Sequence, residues 1–135
     1  MAKALKYLGF ILSLLCLGFI VYLSLLPQVT IPDFVKGGDK SAHFLAYMAL
    51  GFLLFLCFSD IDSRLFVRSN LLPLLSAFAL SSLCGYALEL FQPVFGRCFE
   101  QYDLLADFAG SFIGCIVGLL CVDLIFLIER RNRKK

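Results

Sequence analysis

The sequence predicts an all-α, polytopic membrane protein with four transmembrane helices and both termini in the cytoplasm. Of its 135 residues, 61% are hydrophobic, and the mean hydropathy is +0.91, too apolar for a soluble domain of this size. Four apolar runs, at residues 4–26, 41–58, 71–91 and 103–128, form one predicted transmembrane domain over residues 1–135. Each run is close to the roughly 20 residues that cross about 30 Å of hydrocarbon as a helix.

Lys and Arg are distributed unequally between the two ends of these helices. Nine of the twelve fall on the side of the termini: Lys3, Lys6, Arg64, Arg68, Arg130, Arg131, Arg133, Lys134 and Lys135. Lys36, Lys40 and Arg97 fall on the other side. By the positive-inside rule the termini are cytoplasmic, and the loops at residues 27–40 and 92–102 face outward. The net charge of +2 thus reflects topology, and no nucleic-acid partner is expected.

The first apolar run begins like a secretory signal peptide. Its apolar core exceeds the usual length of about 7–15 residues, and no small-residue cleavage site follows, so we interpret it as an uncleaved first helix. Five of the six cysteines lie inside apolar runs and only Cys98 falls in an outer loop, which indicates neither a disulfide framework nor a zinc motif.

The second helix carries a polar stripe at its outer end. Asp39, His43 and Tyr47 are spaced four residues apart, which places them on one face over about 12 Å. A carboxylate one turn from the only histidine in the chain can orient its imidazole. The alternative for Asp39 is a helix cap that accepts backbone amides of the first turn.

Charged residues also gather where the third and fourth helices meet. Glu89 and Gln92 close the third helix, and Arg97 is the only cation of the following loop, where it either snorkels or pairs with a carboxylate or a phosphate. Asp103 and Asp107 open the fourth helix one turn apart. A cap could explain Asp103 but not Asp107, which lies a turn deeper, where a charge is expensive.

The fourth helix continues with Gly110, Gly114 and Gly118, spaced four residues apart. This pattern of small residues predicts close backbone packing against a neighbouring helix.

Together, nine hydrophilic side chains from three helices map to the outer third of the membrane. They are Asp39, Lys40, His43, Tyr47, Glu89, Gln92, Arg97, Asp103 and Asp107. Ionisable residues at this depth are rare and usually functional, so the sequence predicts one polar pocket open to the outside.

Three motifs resemble the pattern of the VanZ-like family, small bacterial inner-membrane proteins named after a teicoplanin-resistance protein. The motifs are DKSAHFLAY at residues 39–47, ELFQPVFGR at 89–97, and Asp103 followed by Gly110 and Gly114. The family pattern usually has Asn where this chain has Asp107, so the site here is more negative. The resemblance implies a multi-pass protein of the bacterial inner membrane that lowers susceptibility to a glycopeptide.

Two hypotheses follow for the pocket. In the first, it binds a membrane lipid, a lipid-linked cell-wall precursor or a glycopeptide, or its polar network only holds the helices together. In the second, it is the active site of a hydrolase or transferase with His43, Glu89 and Asp103 as acids and bases, and the remaining polar residues bind the substrate. No cofactor is expected, although in one variant of the second hypothesis His43, Glu89 and Asp103 hold a divalent cation, Mn or Zn.

Overall fold

A computed structural model describes residues 2–25, 38–59 and 66–132 of the chain. Within these ranges the regular structure is helical: α1 (Ala2–Leu25), α2 (Gly38–Phe58), α3 (Phe66–Phe91), the short 3-10 helix η1 (Gln92–Phe95) and α4 (Gln101–Asn132). The four α-helices are long and apolar enough to cross a membrane, which confirms the predicted all-α class and the number of spans. Of the predicted outer loop at 27–40, residues 27–37 lie outside the described residues, whereas residues 38–40 already belong to α2. Residues 60–65 and 133–135 also lie outside them.

The helices have the inverted polarity of a membrane protein. Large apolar side chains such as Leu15, Phe19 and Leu72 are exposed on the outside of the bundle, whereas Glu89 and Asp107 are buried inside it. Exposed apolar surface on this scale would aggregate in water but is stable against lipid. We therefore treat the chain as a multi-pass membrane protein.

Helix α2 lies at the centre of the bundle, where it contacts α1, α3 and α4, and its most extensive contact is with α4. The glycines of α4 explain this contact. A Cβ atom added to Gly110 or Gly114 would overlap the backbone carbonyl oxygens of Phe44 and Met48, respectively. Gly51 of α2 is packed in the same way, since a Cβ there would lie 2.6 Å from the Ser111 carbonyl oxygen. The predicted glycine surface is therefore confirmed, and its partner is α2.

Two polar contacts line the buried interior of this packing. The hydroxyls of Ser81 on α3 and Ser111 on α4 are 2.8 Å apart, and the Cys115 thiol lies 3.5 Å from the Gly51 carbonyl oxygen. Apolar side chains, including Phe55 and Val122, fill the core beyond them, towards the opposite end. The close fit of α2 and α4 fixes the relative positions of the polar residues at the ends of both helices.

A candidate polar site at one end of the bundle

The start of α2, the end of α3, η1 and the start of α4 lie at the same end of the bundle. The structure brings the nine predicted hydrophilic side chains together there with a tenth, Glu100. We call this set the polar cluster: Asp39, Lys40, His43, Tyr47, Glu89, Gln92, Arg97, Glu100, Asp103 and Asp107. The sequence places Glu100 among the charges between the third and fourth helices but gives it no individual role. Its position just before a helix that opens with two aspartates was the available signal.

His43 is at the centre of the polar cluster. Its Nδ1 lies 2.9 Å from Asp107 Oδ1, and its Nε2 lies 3.9 Å from Asp103 Oδ2 and 4.0 Å from Asp39 Oδ1. An ionised carboxylate only accepts hydrogen bonds, so Asp107 holds the proton of a neutral imidazole on Nδ1. The Nε2 lone pair then faces the other two aspartates. Tyr47, one turn further along α2, stacks nearly parallel to the imidazole with ring centroids 6.5 Å apart.

Asp107 lies on the floor of the polar cluster and is fully buried. Its Oδ2 has no hydrogen-bond partner among the described residues. Gly85 of α3 makes room for this oxygen, because a Cβ atom at that position would lie 2.9 Å from Oδ2 and 3.1 Å from Cε1 of Tyr47. The sequence analysis did not identify this role, which only the packing of α3 against α4 reveals.

Lys40 and the two acids it contacts form one side of the rim. Lys40 Nζ lies 3.0 Å from Glu100 Oε2 and 3.4 Å from Asp103 Oδ1. The Lys40 and Glu100 side chains are 42% and 48% exposed, whereas Asp103 is 2% exposed. Lys40 and Glu100 are therefore exposed enough to exchange each other for a ligand, whereas Asp103 below them is closed to solvent.

Arg97 forms the other side of the rim. Its guanidinium lies 3.6 Å from Asp39 Oδ2 and 3.5 Å from the carbonyl oxygen of Leu23 at the end of α1. Of the two interpretations of Arg97, the structure thus supports pairing with a carboxylate. Gly96 before it adopts a left-handed conformation with φ of 79°, which closes η1 and turns the chain towards this contact.

Glu89 joins the end of α3 to the start of α4. Its Oε1 accepts a hydrogen bond from Gln92 Nε2 at 2.8 Å, and its Oε2 accepts one from the Glu100 backbone amide at 3.3 Å. Glu89 and Gln92 are both 1% exposed. Since both carboxylate oxygens already accept hydrogen bonds, the geometry gives Glu89 a positioning role in the connection.

Two aspartates for which the sequence also allowed a capping role lie near the starts of their helices. α2 begins at Gly38 and α4 at Gln101, so Asp39 and Asp103 are already inside the first turn of their helices. The carbonyl oxygen of Glu100 accepts the backbone amides of Asp103 and Leu104. The carboxylates face His43 and the rim cations. Glu100, and not Asp103, therefore stands at the cap position of α4, and a cap by Asp39 stays a prediction because the residues before Gly38 lie outside the described ranges.

Acidic groups surround the imidazole on two sides. Asp39, His43 and Asp103 form one group, and His43, Glu89 and Asp107 form another; in each, one donor atom per residue lies within 4.8 Å of the other two. The predicted trio of His43, Glu89 and Asp103 is thus divided between these two groups.

The polar cluster has an excess of negative charge. Among the described residues, Lys40 and Arg97 are the permanent cations that face its five carboxylates, Asp39, Glu89, Glu100, Asp103 and Asp107. Buried charges are stable only when paired, so the site favours cations and hydrogen-bond donors over free anions.

The four membrane-spanning helices and the polar cluster at one end define a multi-pass membrane protein with a polar site inside its helix bundle. The family model described as VanZ/LLP1 matches residues 6–122, which include α2, α3, most of α1 and α4, and every residue of the polar cluster. The chain therefore belongs to the VanZ/LLP1 family. Searches of the curated proteins and of the solved structures found no match.

Proposed function

We propose that this VanZ-family protein resides in the bacterial cytoplasmic membrane and binds the polar head of an amphiphilic molecule from the outer leaflet. The candidates are a membrane lipid, a lipid-linked cell-wall precursor and a lipophilic glycopeptide such as teicoplanin. The observation that supports this proposal is the gradient of burial within the polar cluster. Asp103 and Asp107 are buried, whereas Lys40 and Glu100 above them are about half exposed.

The charges of the polar cluster favour particular head groups. Ammonium, hydroxyl and amide groups donate hydrogen bonds, and such donors match the excess of carboxylates around His43. A phosphate at Lys40 would compete with the exposed Glu100 carboxylate, which lies 3.0 Å from the Lys40 ammonium. Exposed Phe91, Phe95 and Tyr102 lie in or next to η1 and the start of α4, where an acyl chain would contact them.

The proposed binding also accounts for a resistance phenotype. A protein that holds a lipophilic glycopeptide, or the precursor that the glycopeptide recognises, lowers the amount of drug–target complex. Lower teicoplanin susceptibility would then result from binding alone.

Binding is tested with the full chain in lipid nanodiscs. We expect saturable binding, at one molecule per chain, of at least one of three probes: teicoplanin, an undecaprenyl-linked disaccharide pentapeptide, or phosphatidylethanolamine. Microscale thermophoresis gives the affinity and native mass spectrometry the stoichiometry. If none of the three binds saturably up to its solubility limit, the proposal is wrong.

The outward orientation of the polar cluster predicts the labelling of one cysteine. Cys98 is exposed beside Arg97, and the other five cysteines are at least partly buried in the helices. In spheroplasts, a membrane-impermeant maleimide is expected to label the protein once, at Cys98, and Cys98→Ser should abolish the label. Labelling that appears only after the membrane is permeabilised would place this end of the bundle in the cytoplasm.

A second candidate function, a membrane-embedded hydrolase or transferase, is favoured by the orientation of His43. Asp107 fixes Nδ1, which leaves Nε2 as a general base or acid facing Asp103. Catalysis requires that the purified protein convert one of the same three probes, as followed by mass spectrometry. Binding with an unchanged probe after prolonged incubation would reject catalysis and retain the first proposal.

A further inference from the structure

We infer that the polar cluster binds one divalent transition-metal ion, Mn²⁺ or Zn²⁺, through His43 Nε2 and the carboxylates of Asp39 and Asp103. One donor atom from each of these residues lies within 4.8 Å of the other two. This inference goes beyond the proposed function, because metal binding does not depend on an amphiphile.

The donor atoms need only a small movement to bind such an ion. Nε2 of His43 is 3.9 Å from Asp103 Oδ2 and 4.0 Å from Asp39 Oδ1. With metal–donor distances of about 2.1 Å, two donors at a tetrahedral angle lie about 3.4 Å apart. Each of the two pairs that include Nε2 therefore needs to approach by about half an ångström, and rotation of the partly exposed Asp39 side chain would supply part of the movement.

Each of the three ligands is also held by its other polar atom. His43 Nδ1 lies 2.9 Å from Asp107 Oδ1, and Asp39 Oδ2 lies 3.6 Å from the Arg97 guanidinium. Asp103 Oδ1 lies 3.4 Å from Lys40 Nζ. Metal sites typically orient their ligands in this way, with a carboxylate behind the histidine and charged partners behind the carboxylates.

A buried, unsatisfied carboxylate points independently to a ligand. Asp103 is 98% buried, and its Oδ1 has no hydrogen-bond partner among the described residues. Its Oδ2 faces His43 Nε2 at 3.9 Å, which is beyond hydrogen-bond distance. The half-exposed Lys40 ammonium, 3.4 Å from Oδ1, offsets only part of the cost of burying this carboxylate, and a cation between Oδ2 and Nε2 would offset more of it. The same cation reduces the negative charge of the polar cluster by two.

The ligand set selects the kind of ion. Ca²⁺ and Mg²⁺ prefer oxygen ligands alone, whereas one imidazole nitrogen with two carboxylates suits Zn²⁺ or Mn²⁺. Three protein ligands also leave a coordination position open, as in catalytic zinc sites. Because Asp39 is 39% exposed, that position would face the rim.

The test measures metal bound to the detergent-purified full chain, which is prepared without a polyhistidine tag and stripped with a chelator. After equilibration with buffered Zn²⁺ or Mn²⁺ and gel filtration, elemental mass spectrometry is expected to find one ion per chain. The Co²⁺-loaded protein should have visible absorption bands of a low-symmetry nitrogen and oxygen site. A chain that retains no ion under these conditions would overturn the inference.

Matched variants separate this site from non-specific binding. Asp103→Asn and His43→Gln should each weaken the affinity by more than the roughly 10- to 100-fold that loss of a ligand's hydrogen-bond partner costs. Asp107→Asn retains an acceptor for Nδ1, so we expect a loss of only about 10-fold. Asp123→Asn removes a carboxylate about 30 Å along α4 and should change nothing. Equal binding by wild type, His43→Gln and Asp103→Asn would show adventitious metal and overturn the inference.

The metal measurement is independent of amphiphile binding. The nanodisc titrations with teicoplanin and the lipid probes are repeated with the chelator-stripped chain. A chain that takes up no metal on reloading but still binds a probe would refute only the metal site. A protein that binds metal but no probe would refute only the proposed function.

Discussion

Gly114→Ala is expected to prevent α2 and α4 from packing together and to reduce accumulation of the protein in the membrane severalfold. A Cβ atom at this position would overlap the Met48 carbonyl oxygen, and backbone cannot move aside as a side chain can. Overpacking of this kind costs about 1–3 kcal/mol, and more where the backbone is the obstacle. The measurements are the amount of protein in isolated membranes and the thermal midpoint in detergent.

Gly18→Ala is the matched control. No atom lies within 4 Å of a Cβ added to Gly18. Alanine favours a helix over glycine by about 1 kcal/mol, so this variant should be as stable as wild type or more stable. If Gly114→Ala behaved like Gly18→Ala, the close packing of α2 on α4 would be incorrect.

Asp103→Asn and His43→Gln are expected to abolish most binding of the amphiphilic ligand while leaving the bundle folded. Each substitution nearly preserves side-chain size but removes the charge or the imidazole that faces the ligand. Hydrogen bonds to a charged group contribute about 1.5–3 kcal/mol, so the dissociation constant should rise about 10- to 100-fold. In cells, the same variants should lose any protection against teicoplanin at unchanged protein levels.

We expect these variants to fold because the residues that stabilise the helix bundle lie elsewhere. The α2–α4 packing depends on Gly51, Gly110 and Gly114, which lie deeper in the bundle than Asp103. Interhelical hydrogen bonds in membranes average well under 2 kcal/mol, so loss of one polar contact leaves the fold intact. Asp123→Asn, far from the polar cluster, is the control for both binding and susceptibility.

Hydropathy alone predicted the four helices, because about 20 apolar residues in lipid must satisfy their backbone hydrogen bonds internally. Hydropathy predicted the ends of these helices less accurately. α3 begins at Phe66 and not near residue 71, and α4 continues to Asn132 beyond residue 128. The added residues are largely polar, and a helix that extends past the hydrocarbon no longer needs apolar side chains.

Helical spacing predicted the contents of the polar cluster but not its contacts. The stripe of Asp39 and His43 and the pair of Asp103 and Asp107 follow from four-residue intervals on single helices. Which aspartate would contact which imidazole nitrogen depends on the rotation of α4 against α2. That rotation is set by the glycine packing, so the Nδ1 contact with Asp107 and the role of Gly85 beside it required coordinates.

The central claim is that the polar cluster binds a ligand. Its most direct test measures thermal stability and ligand binding on the same preparations of wild type, Asp103→Asn and Asp123→Asn. The ligand is whichever probe wild type binds in nanodiscs. We predict three similar thermal midpoints, with the affinity lost in Asp103→Asn alone. If Asp103→Asn instead fails to fold, or folds and binds as tightly as wild type, the polar cluster is not the binding site that we propose.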